Sequence, residues 1–235
     1  MTQPTGAGLT SPPISLANIV GLIVGATIAS IAAFLLALLF GVSLHPALLL
    51  SAGANDAWFL AAYDRRSRRL GWDTLRTRFA AIDRPLMLAS VAAGLASSEF
   101  PDAASWILQG VGIKLADLPN DALVPGGIAQ LPLTISLGVI LVPLGEELLF
   151  RGLLLDWLKQ KVPAWQAVLI SSLIFALLHN NHLTMGLAGG IELLDRMLMG
   201  VGASILALRG HSLRGPFLMH ATNNLVACIA DALDF

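Results

Sequence analysis

Apolar residues run from Ile19 to Phe40 without a single ionisable side chain. As a helix, about 20 such residues cross the ~30 Å hydrocarbon core of a bilayer, so this run is long enough to span one. Similar runs follow, broken by polar and Gly/Pro-rich stretches. The pattern predicts seven hydrophobic helices, at roughly 17–42, 44–63, 85–100, 128–158, 163–180, 187–208 and 215–233. The segment 44–63 is the weakest, because Asn55 and Asp56 interrupt it. Residues 103–115 form an interfacial or an eighth segment, and Pro119-Asn120-Asp121 and Pro125-Gly126-Gly127 mark the loop after it. The fold class is therefore all-α, a polytopic transmembrane bundle of about 7–8 helices. No internal repeat or linker divides it, and residues 1–235 read as one membrane domain. Gly21 with Gly25, and Gly186 with Gly190, have the spacing of close helix contacts, which chance also produces in a Gly-rich membrane chain.

Composition agrees with a membrane location. The 235 residues are 56% hydrophobic and 12% charged, where a soluble domain carries about 25% charged residues. No Lys, Arg, Asp or Glu precedes Asp56, so the first run lacks the positive flank of a cleaved signal peptide. Arg65, Arg66, Arg68, Arg69, Arg76, Arg78 and Arg84 crowd one loop, 64–84, which the positive-inside rule places in the cytoplasm. Counting spans outward from it puts the N-terminus, Lys159, Lys161, Arg209 and Arg214 on that side. Asp117, Asp121, Asp231 and Asp234 fall outside. A net charge of −1 and the lack of a basic, aromatic-interleaved patch argue against a nucleic-acid partner. The single Cys228 excludes an intramolecular disulfide framework and a Cys-rich zinc site. The role of residues 1–16 is not legible.

Against this background "PLGEELLFRG", residues 143–152, stands out. Each charge near the bilayer centre costs about 2.5–3.5 kcal/mol on insertion scales and as a rule marks a functional interior. Glu147 and Arg151, at i and i+4, share a helical face and are placed to pair. Glu146 is turned about 100° away, so the two carboxylates divide into a supporting pair and a free one. The next helix ends in "FALLHNNH", with Phe175, His179 and His182. Lys161-Val162-Pro163 makes a tight connection, and Glu146 and His179 lie almost equally far from it. At ~1.5 Å per residue the carboxylate and the imidazole reach the same depth. His182 reads as a loop residue beyond the helix end. In the last segment His220 and Asn224, at i and i+4, share a face, with Asn223 on another. A structural reading remains for each: a buried ionic lock for Glu146, Glu147 and Arg151, and plain interhelical hydrogen bonds for His220 and Asn224.

Read as chemistry, the set supplies a general base, Glu146 with His179, to activate water. His220 and Asn224 can stabilise an oxyanion. Ser171 and Ser172 lack the strained turn and acidic orienter of a serine triad. The same Glu146, His179 and His220 also make a His2Glu zinc set, although no HExxH-type pair accompanies it.

The order Glu146-Glu147-xxx-Arg151, Phe175-xxx-His179, His220-xxx-Asn224 resembles the CPBP group of intramembrane proteases. That group includes the endoprotease of prenylated CAAX proteins and the Abi or bacteriocin-processing relatives. The resemblance covers about 130–230, with a protease-like core at about 128–233. It implies a glutamic-type membrane peptidase without a cofactor, in which Glu146 and His179 activate water and His220 and Asn224 hold the oxyanion. Glu147 and Arg151 would support them. It further implies a membrane-associated protein or peptide substrate and a bacterial cytoplasmic membrane. One departure is Arg209-Gly210-His211-Ser212-Leu213, where many relatives carry a Thr-Gly-Ser-Leu-like turn; His211 reads as an exposed loop residue. The competing classes are a zinc-dependent version of the hydrolysis, a non-catalytic immunity or scaffold protein, and a transporter, which the absence of a repeat disfavours.

Overall fold

The computed structural model describes residues 14–113, 115, 130–179 and 185–233. His182 with Asn180 and Asn181, the Pro119 and Pro125 turns, Asp117, Asp121, Asp234, the side chain of Asp231 and residues 1–13 lie outside that description. The described residues form nine helices and no strand. They are α1 (Leu16–Leu39), α2 (Leu44–Leu70), α3 (Leu75–Arg78), α4 (Arg84–Ser98), α5 (Phe100–Gly110), α6 (Leu131–Lys159), α7 (Ala164–His179), α8 (Gly186–Gly210) and α9 (Arg214–Ala232). α1 and α6 are each long and apolar enough to cross a membrane. Large apolar side chains such as Ile28, Leu35, Trp106 and Leu178 stand exposed, a surface suited to lipid.

Local chemistry explains where the helices start and stop. Ser15 Oγ accepts from Asn18 N at the head of α1, and Asp83 Oδ1 accepts from Leu86 N at 2.9 Å at the head of α4. Pro85 occupies the first turn of α4, where its missing N–H is harmless. α2 ends at Gly71 in the left-handed conformation, φ 70°. The predicted boundary at 63 was therefore too early. α2 continues through the first part of the basic stretch, with Asp64 and Arg68 paired at 3.0 Å one turn apart. The apolar run ends near residue 63, but hydrogen bonding carries the helix on.

α6 is the central element and touches α1, α2, α7, α8 and α9. It is not uniformly α-helical, for Ile135–Leu141 and Leu148–Leu154 are wide, π-type turns. The first lies just before Pro143, which has no N–H to give to the Val139 carbonyl. Such turns are uncommon and are often found at functional sites. α1 packs on α2 at Gly25, where a Cβ would come within 1.9 Å of the Trp58 ring. A Cβ at Gly186 or Gly190 would meet nothing within 4 Å, so that pair marks no contact among the described residues. α4 packs against α9 at Gly94, whose Cβ would meet the Met219 carbonyl oxygen at 2.4 Å. The Gly210-His211-Ser212-Leu213 turn holds the basic loop to the bundle. Ser212 Oγ donates to Ala80 O at 2.7 Å and Leu213 N to Arg78 O at 2.6 Å. His211 is exposed and caps α8 with φ 46°.

Candidate active site

α6 presents Glu146 and Glu147 at the meeting point of α7 and α9, and the tight 161–163 connection brings α7 back alongside α6. His179 Nε2 lies 3.0 Å from Glu146 Oε1. The ring stacks on Phe175, with centroids 4.2 Å apart. Its Nδ1 lies 2.8 Å from the Phe175 carbonyl. A carbonyl only accepts, so Nδ1 carries a hydrogen. One proton is then shared between Nε2 and Oε1, either on an imidazolium donating to a carboxylate or on a carboxylic acid donating to a neutral imidazole. Glu146 and His179 retain 20% and 27% side-chain exposure, while Glu147 has none. The Glu146–His179 pair can therefore meet a solvent molecule, and Glu147 cannot.

Glu147 and Arg151 pair at 2.9 Å between Oε1 and Nη1. Arg151 Nη2 donates to the Gly200 carbonyl at 3.4 Å, and the guanidinium lies over the Phe175 ring, 4.4 Å from its centroid. His220 changes the simple division of the two carboxylates. Its Nδ1 donates to Glu147 Oε1 at 2.9 Å, and its Nε2 lies 3.5 Å from Glu146 Oε2. One imidazole thus touches both glutamates. The 100° turn separates their Cα directions, but two flexible carboxylates converge on a ring arriving from a third helix.

Asn224 Nδ2 donates to the Gly138 carbonyl at 3.0 Å, in the first wide turn of α6, and Asn224 Oδ1 accepts from Asn223 Nδ2 at 3.3 Å. His220 and Asn224 are therefore both engaged with α6, His220 through its glutamates and Asn224 through its backbone. Ser171 Oγ donates to the Phe150 carbonyl at 3.1 Å, and Ser172 Oγ is buried without a hydrogen-bond partner among the described residues. Among the described residues neither serine is paired with a histidine.

Two features escaped the sequence. The carbonyls of Gly138 and Gly200 are partners no side-chain pattern reveals. Asp56, the first Lys, Arg, Asp or Glu of the chain, is buried against Gly145 beside the site; its position inside an apolar segment was the available signal. As to metal, both histidines fix Nδ1 and turn Nε2 toward Glu146, the orientation that zinc-bound histidines adopt. Among the described residues, however, no group of three His, Cys, Asp or Glu is arranged to hold an ion.

Residues 128–226 match the family described as type II CAAX prenyl endopeptidase Rce1-like. That segment, which contains every residue of the site except Asp56, is similar to the CAAX-protease group that the motifs resemble. The chain is also 32% identical over 95 residues to an uncharacterized 24.3 kDa protein of Escherichia coli. The alignment covers 40% of this chain and 42% of that protein, so the chain spans less than half the length of this relative. No solved structure matches the chain.

Proposed function

We propose that the protein is an integral membrane endopeptidase that hydrolyses a peptide bond in a membrane-associated protein or peptide, using water activated by Glu146 and His179. The observation that carries the reading is the 3.0 Å contact between Glu146 Oε1 and His179 Nε2 on the partly open side of the site, with Nδ1 anchored to a carbonyl. Glu146 takes a proton from water as the water oxygen attacks the carbonyl carbon. The tetrahedral intermediate then loses its C–N bond, and the proton passes through the Glu146–His179 pair to the leaving amine. The products are a carboxylic acid and an amine.

His220 and Asn224 face the developing oxyanion. For that, His220 Nε2 turns from Glu146 Oε2 to the substrate oxygen, while Nδ1 stays on Glu147. Asn224 supplies its second amide hydrogen. Glu147 and Arg151 hold the His220 ring from below. The reading includes a bacterial cytoplasmic membrane with the N-terminus inside. The Rce1-like match supports a prenylated C-terminal peptide as the first substrate class to try.

The alternative is the zinc-dependent form of the same hydrolysis, favoured by the way both Nε2 atoms point at Glu146. Glu146, His179 and His220 would then hold the ion, which would lower the pKa of a bound water. The test uses purified protein with a fluorogenic farnesylated peptide and an unprenylated, lipid-anchored peptide. Glu146→Ala and His179→Ala are expected to abolish cleavage while the protein still inserts and folds. Cleavage that survives exhaustive chelation supports the glutamic form, and loss restored by zinc supports the other. Undiminished turnover in Glu146→Ala would end both.

A further inference from the structure

Asp56 is the ionisable group that the proposed chemistry leaves unused. It lies near the middle of α2 and is 6% exposed. A Cβ on Gly145 would meet Asp56 Oδ1 at 2.0 Å and Cγ at 2.7 Å. The carboxyl therefore rests on the backbone of α6 one residue before Glu146, in space only a glycine leaves open. The hydrogen bond it accepts is a long one, 3.4 Å from Asn55 Nδ2. Among the described residues no Lys, Arg or His pairs with it. The neighbouring charge that acts on it is that of Glu146. α1, packed on α2, carries no ionisable side chain within Leu16–Leu39.

These contacts set the two acids apart. A carboxylate without a counter-ion is costly at this depth. Glu146 has an imidazole at each oxygen, 3.0 Å and 3.5 Å away. Asp56 has one distant amide. Resting on the Glu146 reading above, we infer that Asp56 is a positioning residue of that site, a carboxyl seated on Gly145 that fixes the turn carrying Glu146. It exchanges no proton with substrate and takes part in no bond change. A glycine at 145 and an acid at 56 are then two halves of one contact between α2 and α6.

The test measures turnover per folded molecule, on whichever of the two peptides the wild-type chain cleaves. The variants are Asp56→Asn, Asp56→Ala and Glu146→Ala. Asp56→Ala is expected to lower kcat roughly 10-fold or more at unchanged KM. Asp56→Asn, neutral and of the same shape, should recover most of that loss, and Glu146→Ala should be inactive. An equal loss in both Asp56 variants, a loss confined to KM, or wild-type turnover in both overturns the inference and leaves the Glu146 reading standing. An active Glu146→Ala, or a wild-type chain that cleaves neither peptide, overturns that reading and the inference with it. Should Asp56→Ala fail to fold, the Asp56→Ala/Gly145→Ala pair, whose added methyl occupies the vacated space, takes its place in the same comparison.

Discussion

Glu147 has no exposed surface, and Oε1 takes both of its charge-assisted partners, Arg151 Nη1 and His220 Nδ1, at 2.9 Å each. A buried carboxylate this dependent on one cation is destabilised when the cation is removed rather than when the pair is exchanged as a whole. Breaking such a pair costs about 3–5 kcal/mol, most of it from the charge left behind. Arg151→Ala should therefore reduce the yield of folded protein and the melting temperature in detergent. Arg151→Ala/Glu147→Gln should recover part of the stability, because no uncompensated charge remains. A fully stable, fully active Arg151→Ala protein would refute the supporting role. Glu146 differs by its surroundings alone. It has the same side chain one residue away, but partial exposure and two histidines at its oxygens make it the member that the proposed hydrolysis uses.

The helices hold these groups in register by close approach at small residues. α4 meets α9 at Gly94, and the blocking atom is a backbone carbonyl, that of Met219, next to His220. A side chain can rotate away from an intruding methyl, but a backbone carbonyl moves only if the helix moves. Gly94→Ala should displace α9, with a cost of about 1–3 kcal/mol typical of overpacking. Turnover should fall with the shift of His220, even though Gly94 is far in sequence from every candidate catalytic group. Melting temperature and turnover both equal to wild type would show that α4 and α9 do not pack this closely. The wide turns of α6 act at the same scale. They flank Glu146 and Glu147, and the first offers the Gly138 carbonyl that accepts from Asn224.

Across the whole molecule, the basic loop is fastened to the C-terminal end of α6, beyond the glutamates near its centre. Arg78 pairs with Asp156 of α6 and lies 3.7 Å from Asp73, and Tyr63 Oη donates to Asp73 O at 2.6 Å. Burial alone would lower the Arg78 guanidinium, but Asp156 beside it holds it above its ordinary value. With the Ser212 and Leu213 bonds, this fastens the loop that the positive-inside rule assigns to the cytoplasm. In a chain with Cys228 replaced, Arg69→Cys should react with an impermeant maleimide only after the membrane is opened. Val111→Cys, which the same span count places outside, should react in intact cells. The reverse pattern would invert the orientation and place the candidate site in the other leaflet.

The amino-acid sequence determined what depends on local pattern. Hydrophobic runs set the helices, since a membrane offers the backbone no other partner for its hydrogen bonds. The i to i+4 spacing made Glu147 and Arg151 neighbours, and the short 161–163 connection matched Glu146 to His179 in depth. What required the tertiary structure was every relation set by helices distant in sequence. His220 bridges two glutamates that the helical period alone had separated. Asn224 is bonded to an α6 carbonyl, and α2 continues to Leu70 as a helix outside its apolar run. Asp56, seen in the sequence only as a flaw in the weakest segment, acquired a neighbour because α2 lies on Gly145. Spacing fixes which face of a helix a residue occupies, but only packing decides what that face meets.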